Sequence, residues 1–314
     1  MRVLVTGGAG FIGSHLVDRL VEEGYEVVVV DNLSTGRKEN VNPRAEFIRR
    51  DLKEPGWGAG LRADVVFHFA ANPEVRVSTT EPRVHFEENM VATFNVLEWA
   101  RASGVRTVVF ASSSTVYGDA RVMPTPEDHP LEPISVYGAA KAAGETMCAA
   151  YARLYGVRCL ALRYANVVGP RMRHGALYDF LMKLRKRPEE LEVLGDGTQR
   201  KSYLHVEEAV EATLRAWRKF EETGEPYLAL NVGNFDAASV LDLARAAAEA
   251  MGLSPQIKLR PATSDGRGWP GDVKYMLLSI RRIVELTGWR PRLNSLETAK
   301  RAAAELVKEL TWMA

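Results

Sequence analysis

Cysteine is nearly missing from the 314 residues: only Cys148 and Cys159 occur, and neither belongs to a C-x-x-C pair. A disulfide framework is therefore excluded, and a reducing cytoplasm is the expected compartment. An excess of charge of one sign is missing too. The 41 basic and 40 acidic side chains leave a formal charge of +1, so the chain lacks the electrostatic footprint of a nucleic-acid binder. No apolar run approaches the roughly 18 residues that span a bilayer. Met1–Val5 runs straight into a strand-like stretch without a signal-peptide pattern. The histidines (His15, His68, His85, His129, His174 and His205) show no metal-ligand spacing, and no metal is expected. Glutamine is confined to Gln199 and Gln256, and arginine outnumbers lysine, a bias that leans toward a hot habitat.

What is present is ordinary for a soluble, cored protein: 46% hydrophobic and 26% charged residues. The length allows about two domains at roughly 100–200 residues each. Short β-branched runs at Val3–Thr6, Glu26–Asp31, Glu46–Ile48, Val65–Phe69, Thr107–Ser112 and Arg158–Arg163 read as buried parallel strands. Between them, Gly13–Glu23, Val84–Ala102 and Tyr137–Tyr155 read as helices. This alternation predicts an α/β fold, a Rossmann-type doubly wound parallel sheet. The sheet domain is expected over residues 1–165, rejoined by part of 203–236. A smaller C-terminal α/β substrate domain is expected over 166–314. It contains helices at Asp179–Lys186, Glu207–Phe220, Val240–Met251 and Ser295–Leu310, a strand at Leu191–Leu194, and an ordered loop at Pro261–Gly271.

Gly7, Gly10 and Gly13 give the spacing G-x-x-G-x-x-G directly after the first strand, where the first helix opens. Glycine there permits a tight turn and lets backbone approach a pyrophosphate, while the helix N-terminus supplies free N–H donors. Asp31 ends the second strand, 18 residues beyond Gly13. A carboxylate at that point accepts from ribose hydroxyls and repels a 2′-phosphate, which favours NAD over NADP. Asp51, after the third strand, is placed to reach adenine.

Tyr137 and Lys141 stand four residues apart at the start of a predicted helix, so their side chains share a face. Phe110-Ala111-Ser112-Ser113-Ser114 ends a sheet strand some 25 residues earlier, and strand C-termini are where an open α/β sheet meets its ligands. A phenol with an ordinary pKa near 10 is a poor base at neutral pH. A neighbouring ammonium favours its phenolate, and a serine hydroxyl can relay the proton.

The glycine loop, Asp31-Asn32-Leu33, the serine run with Thr115-Val116-Tyr117-Gly118, and Tyr137-Gly138-Ala139-Ala140-Lys141 resemble the extended short-chain dehydrogenase/reductases. Within them, the chain is most similar to the NAD-dependent nucleotide-sugar epimerases, in particular the UDP-glucose (UDP-galactose) 4-epimerases. The resemblance covers almost the whole chain. It implies Ser113, Tyr137 and Lys141 as the catalytic set. It implies NAD contacts at Gly7, Gly10, Phe11, Ile12, Gly13, Asp31, Asn32, Ser34, Gly36, Asp51 and Leu52. Further NAD contacts fall on Phe69, Ala70, Ala71, Asn89, Ser112, Tyr137, Lys141 and Tyr164. Ser113, Tyr137, Asn166, Arg200, Lys201, Arg267 and Asp272 are implied for a UDP-sugar. A homodimer pairing the Val84–Ala102 and Tyr137–Tyr155 helices is implied as well.

Dehydratases and decarboxylases that resemble this chain carry an acid just after the catalytic hydroxyl, because eliminations there need a carboxyl to move protons. Ser113 is followed by Ser114 and Thr115, which argues for an epimerase. UDP-N-acetylglucosamine, UDP-glucuronate and UDP-pentose stay open as substrates of such an epimerase, and a non-catalytic NAD-binding regulator is the rival of another kind. The substrate half departs from the family pattern. Lys201-Ser202 stands where Arg-Asp is usual, and Arg267 lies two residues upstream of Trp269-Pro270-Gly271-Asp272, where R-x-G-D is usual. The resemblance puts Met276 at the position that in the family limits sugar size, where it is neither the bulky Tyr nor the small residue that would settle N-acetyl-hexosamine use.

Overall fold

Valines that are buried on both faces of a sheet account for the first half of the molecule. The computed structural model describes residues 1–311. Its first elements are β1 (Arg2–Thr6), α1 (Phe11–Glu22), β2 (Glu26–Asp31), β3 (Glu46–Arg49) and β4 (Val65–His68). Val3–Val5 and Val27–Val30 are buried, as the strands of a parallel sheet covered by helices must be.

The single helix expected over Val84–Ala102 is instead broken. A short α2 (Pro82–His85) passes into a wide π-type turn at Phe86–Val91 and then into α3 (Ala92–Ser103). The wide turn carries the buried Asn89, whose carboxamide accepts from Asn72 N at 2.7 Å and pairs with His85 Nδ1 at 3.1 Å. An insertion in the helical ladder of this kind re-aims one side chain. Next come β5 (Thr107–Ser113), α4 (Val136–Tyr155) and β6 (Arg158–Tyr164).

Beyond β6 the chain forms β7 (Asn166–Val168), α5 (Ala176–Lys186), β8 (Glu190–Leu194), β9 (Arg200–Lys201), β10 (Tyr203–His205) and α6 (Val206–Thr223). It continues through β11 (Tyr227–Val232), β12 (Ala238–Ser239), α7 (Val240–Ala250), β13 (Gln256–Arg260), β14 (Tyr275–Met276), α8 (Arg281–Thr287) and α9 (Ser295–Thr311). The main sheet has seven strands in the order β11-β6-β5-β4-β1-β2-β3, every neighbouring pair parallel. Its edge strand β11 comes from the C-terminal half and pairs with β6 from Tyr227–Cys159 to Val232–Tyr164.

One face of the sheet packs on α1 and α6 through Leu16, Leu20, Trp217 and Phe220, and the other on α3 and α4 through Val96, Leu97, Cys148 and Tyr151. A separate core joins α5, α7 and α9 through Leu181, Leu243 and Leu306. The change of winding direction lies between β1 and β4, and crevices at such a point are where open α/β sheets bind ligands. Among the described residues no helix is long and apolar enough to cross a membrane.

Candidate active site

A cleft of about 420 Å³ runs across the C-terminal ends of β1, β4, β5 and β6, and residues of the C-terminal half close its far side. At one end Gly7, Gly10, Phe11, Ile12 and Gly13 form its wall. Gly7 has φ +71°, and a Cβ there would stand 2.5 Å from Ala70 N. A Cβ on Gly13 would stand 2.2 Å from the carbonyl oxygen of Gly7. The loop is thus folded back on its own helix, leaving bare backbone toward the cleft, a cradle shaped for pyrophosphate.

A smaller side pocket of about 70 Å³ is walled by Asp31, Asn32, Ser34, Asp51, Leu52, Phe69, Ala70 and Ala71. Asp31 accepts from Ala9 N at 3.0 Å and Leu33 N at 2.8 Å. Burial raises its pKa, against those two backbone donors. Asn32 Nδ2 donates to Asp51 Oδ2 at 3.2 Å, joining the ends of β2 and β3. Acceptors at two strand ends beside an anion cradle suit the adenosine half of a dinucleotide.

Two of the expected cofactor residues stand behind these walls, and a third has its polar group engaged elsewhere. Gly36 lines neither pocket: a Cβ on it would meet the backbone of Ala9 at 2.9 Å. Asn89 lines neither pocket and instead holds the 70–74 segment through Asn72. Tyr164 does line the cleft, but its hydroxyl pairs with Thr213 at 2.6 Å.

At the centre of the cleft, Ser113 ends β5 and Tyr137 sits in the first turn of α4, whose N-cap Ser135 accepts from Gly138 N. Thr115 donates to the Ser113 hydroxyl from both its backbone N, at 3.2 Å, and its Oγ1, at 3.0 Å. Burial pushes the Tyr137 phenol up to about 12, while a hydrogen bond with Ser113 works the other way. Lys141 is buried and its Nζ donates to Ala111 O at 2.7 Å. The ammonium lies 5.8 Å from the Tyr137 ring centroid. Burial pulls Lys141 down to about 8, opposed by the Glu145 carboxylate. The protein thus holds two ionisable groups side by side, with desolvation disfavouring charge on both. A positively charged ring seated beside them would tip the phenol toward its anion.

His68, on β4, is pushed down to about 3, first by burial and then by the Lys141 charge. Thr93 Oγ1 gives its proton to Asn89 O at 2.6 Å, so at its 3.0 Å contact with His68 Nε2 it accepts. The imidazole Nδ1 in turn accepts from Thr6 Oγ1 at 2.7 Å. His68 is therefore a neutral structural link between β1, β4 and α3.

On the far side of the cleft stand Asn166, Lys201, Asp272, Trp269, Arg171 and Arg173. Lys201 and Asp272 form an ion pair at 2.6 Å. Two of the expected substrate residues lie off these walls. Arg200 turns outward and donates to Ala237 O at 2.7 Å, because neighbours on a strand face opposite ways and Lys201 takes the inward side. Arg267 is held by Asp119, Asp265 and the Asp272 carbonyl. Arg171, an available cation for a diphosphate in the sequence reading, lines the cleft; its Nη2 pairs with Asp18 at 2.8 Å, and its buried Nη1 has no hydrogen-bond partner in the protein. An unpartnered guanidinium nitrogen on this wall fits an anionic ligand. Its clue in the sequence is the glycine-proline step at Gly169-Pro170, which ends the strand and turns Arg171 to φ +67°.

Fold and site together define a dinucleotide-binding enzyme with a serine, a tyrosine and a lysine gathered at the centre of its cleft. The chain belongs to the NAD dependent epimerase/dehydratase family, whose model matches residues 3–233. It is 36% identical over 309 residues to the UDP-glucose 4-epimerase of Mycolicibacterium smegmatis, spanning 95% of this chain and 96% of that one. It is likewise 36% identical over 305 residues to UDP-glucuronic acid decarboxylase 4 of Arabidopsis thaliana, spanning 93% of this chain and 66% of that protein. A crystal structure of a UDP-galactose 4-epimerase superposes with a TM-score of 0.93 at 69% identity, covering 99% of this chain and 100% of the other.

Proposed function

We propose that this protein interconverts UDP-galactose and UDP-glucose by inverting carbon 4 through a 4-keto sugar. The observation that carries the reading is the Ser113–Tyr137–Lys141 cluster with hydroxyls, and no acid, in the two positions after Ser113. Oxidation and reduction at carbon 4 need one group to take and return a hydroxyl proton, and a decarboxylation or dehydration needs a further acid. The 69% identity to a UDP-galactose 4-epimerase supports the same choice.

Gly7–Gly13, with Asp31 and Asn32, would hold NAD, which when bound supplies the hydride acceptor and gives the hydride back. Tyr137 takes the proton from the 4-hydroxyl and later returns it. Ser113 orients that hydroxyl, and Lys141 stabilises the phenolate through the shared helix face. Lys201, Asp272 and Asn166 would hold the nucleotide side, with Arg171 as an added cation. Arg200 and Arg267 stay outside the binding set.

Two further parts of the reading concern the whole molecule. Phe94 on α3 and Leu154 and Tyr155 on α4 are large apolar side chains left exposed, which suits pairing of these helices in a homodimer. Cys148 and Cys159 are buried free thiols, which suits a reducing cytoplasm.

Purified protein is incubated with UDP-galactose without added NAD, and the nucleotide sugars are separated by chromatography. Appearance of UDP-glucose up to a constant ratio is expected. No conversion even with NAD supplied would overturn the hexose reading, and the N-acetyl, uronate and pentose analogues would then be tested in turn. Light scattering on the same sample gives the oligomeric state.

A further inference from the structure

Behind the catalytic face, one carboxylate gathers donors from three strands. Glu145 lies on α4 one turn beyond Lys141 and is 2% exposed. Ser112, on β5, donates its hydroxyl to Oε1. Arg163, on β6, reaches the same carboxylate through Nε at 2.9 and 3.0 Å and through Nη2 at 2.6 Å. The Tyr227 hydroxyl, on β11, completes the set at 3.3 Å. Arg163 spends its remaining nitrogen on the Tyr117 hydroxyl at 2.7 Å and the Glu127 carbonyl at 2.8 Å. A buried ion pair contributes little net stability, so its presence calls for another role.

The connection to the chemistry is geometric. Lys141 Nζ is bonded to the carbonyl of Ala111, and Glu145 to the hydroxyl of Ser112. The Ala111–Ser113 end of β5 is thus tied to α4 at two adjacent residues, from side chains one helical turn apart. We propose that Glu145 is a positioning residue for the proton-transfer pair, fixing the Ser113 end of β5 against the turns of α4 that carry Tyr137 and Lys141. The proposal rests on the reading of Tyr137 and Lys141 given above.

Glu145 also acts on the Lys141 charge. The groups around that ammonium are Tyr137, Glu145 and Cys148 on α4, His68 on β4 and His85 on α2. A hydrogen bond with Cys159, then burial, pushes the Cys148 thiol well up, and burial lowers both His68 and His85, so these three are neutral near pH 7. Glu145 is the standing negative charge that favours the ammonium.

The test compares Glu145→Gln and Glu145→Asp in the purified holoenzyme. Loss of the charge lets Lys141 deprotonate earlier, so the alkaline limb of the kcat profile moves to lower pH by about one unit in Glu145→Gln. In Glu145→Asp the charge remains but the shorter side chain withdraws from Ser112 and Arg163. Turnover then falls about tenfold, with the limb in place. The Lys141 charge is read directly from its 13Cε shift in lysine-labelled protein, assigned by its loss in Lys141→Arg, and its titration should follow the limb.

Because Glu145→Gln strands a buried Arg163, the double variant Glu145→Gln/Arg163→Met serves if the single one does not fold. An unmoved limb and unmoved Lys141 titration, or full turnover in Glu145→Asp, overturns the proposal. Tyr137→Phe is measured in parallel. If it stays active the underlying reading fails, whereas an inactive Tyr137→Phe with unaltered Glu145 variants sinks only the role given to Glu145.

Discussion

The guanidinium of Arg267 meets both carboxylate oxygens of Asp119, at 3.1 and 2.9 Å. Asp119 follows the segment that leaves the catalytic strand, and Arg267 stands in the loop that brings Trp269 and Asp272 to the cleft. A third bond, from Arg267 to the Asp272 carbonyl at 2.7 Å, fixes the wall residue itself. Arg267 therefore shapes the nucleotide side from outside.

Asp119→Asn should loosen this clasp without touching the reacting groups. A partly exposed ion pair is worth about 1 kcal/mol, so KM for UDP-galactose is expected to rise roughly fivefold with kcat within about twofold of the parent. Steady-state kinetics decides it. A drop in kcat at constant KM would place the pair in the chemistry instead.

Tyr137→Phe removes the proton acceptor and keeps the ring. General acid–base groups contribute about 10²–10⁴ in rate, so kcat should fall by about three orders of magnitude. The nucleotide released from denatured protein should match the parent, since the glycine cradle is untouched. A variant with near-parental turnover would remove Tyr137 from the mechanism.

Gly13→Ala places a methyl 2.2 Å from the Gly7 carbonyl oxygen, inside backbone that has nowhere to retreat. The loop must open, and its N–H groups lose their common aim. Chromatography of denatured protein should find the dinucleotide absent or severely depleted, and the melting midpoint should drop. Full cofactor content in this variant would contradict the cradle geometry.

His68 links acid stability to the sheet. Its folded pKa lies near 3 against an ordinary 6.5, so between those values the unfolded chain binds a proton that the native protein refuses. Stability is therefore lost as pH falls from about 6.5 toward 3, at up to about 1.4 kcal/mol per pH unit. His68→Gln should be less stable at pH 7 and should lose less on going to pH 4. Urea unfolding at the two pH values gives the comparison, and an equal loss in both proteins would refute it.

The first half of the chain was legible because its physics is local. Buried parallel strands write themselves as continuous valine runs, and a glycine triplet between strand and helix is a short, self-contained signal. The edge strand at Tyr227–Val232 was not read. Its pattern, Tyr-Leu-Ala-Leu-Asn-Val, contains an asparagine whose burial makes sense only once Glu127, Thr125 and Tyr117 are seen around it. The break inside Val84–Ala102 was hidden for a similar reason, since helical periodicity absorbs one extra residue per turn without a visible scar.

At the site, Tyr137 and Lys141 were legible from spacing and position, whereas Ser113 was singled out of its serine run by the family resemblance. Arg267 lies off the cleft wall, and the sequence could not show why, because its charge is met by Asp119, 148 residues away in the chain. Arg171 was legible only as one available cation among several, and Glu145 gave no signal beyond its own letter. What makes them matter is an unfilled nitrogen in one case and donors from three strands in the other.

The seventh strand has a consequence for how this protein can be made and remade. β11 closes the sheet against β6, and Ala165 N bonds to the carbonyl of Val232 just beyond the last paired residues. On the ribosome, the nascent sheet keeps an open edge until some seventy further residues have emerged. Recombination that joins two relatives at residue 165 would give β6 and β11 different parents along a six-residue seam, so the C-terminal half is no exchangeable cassette.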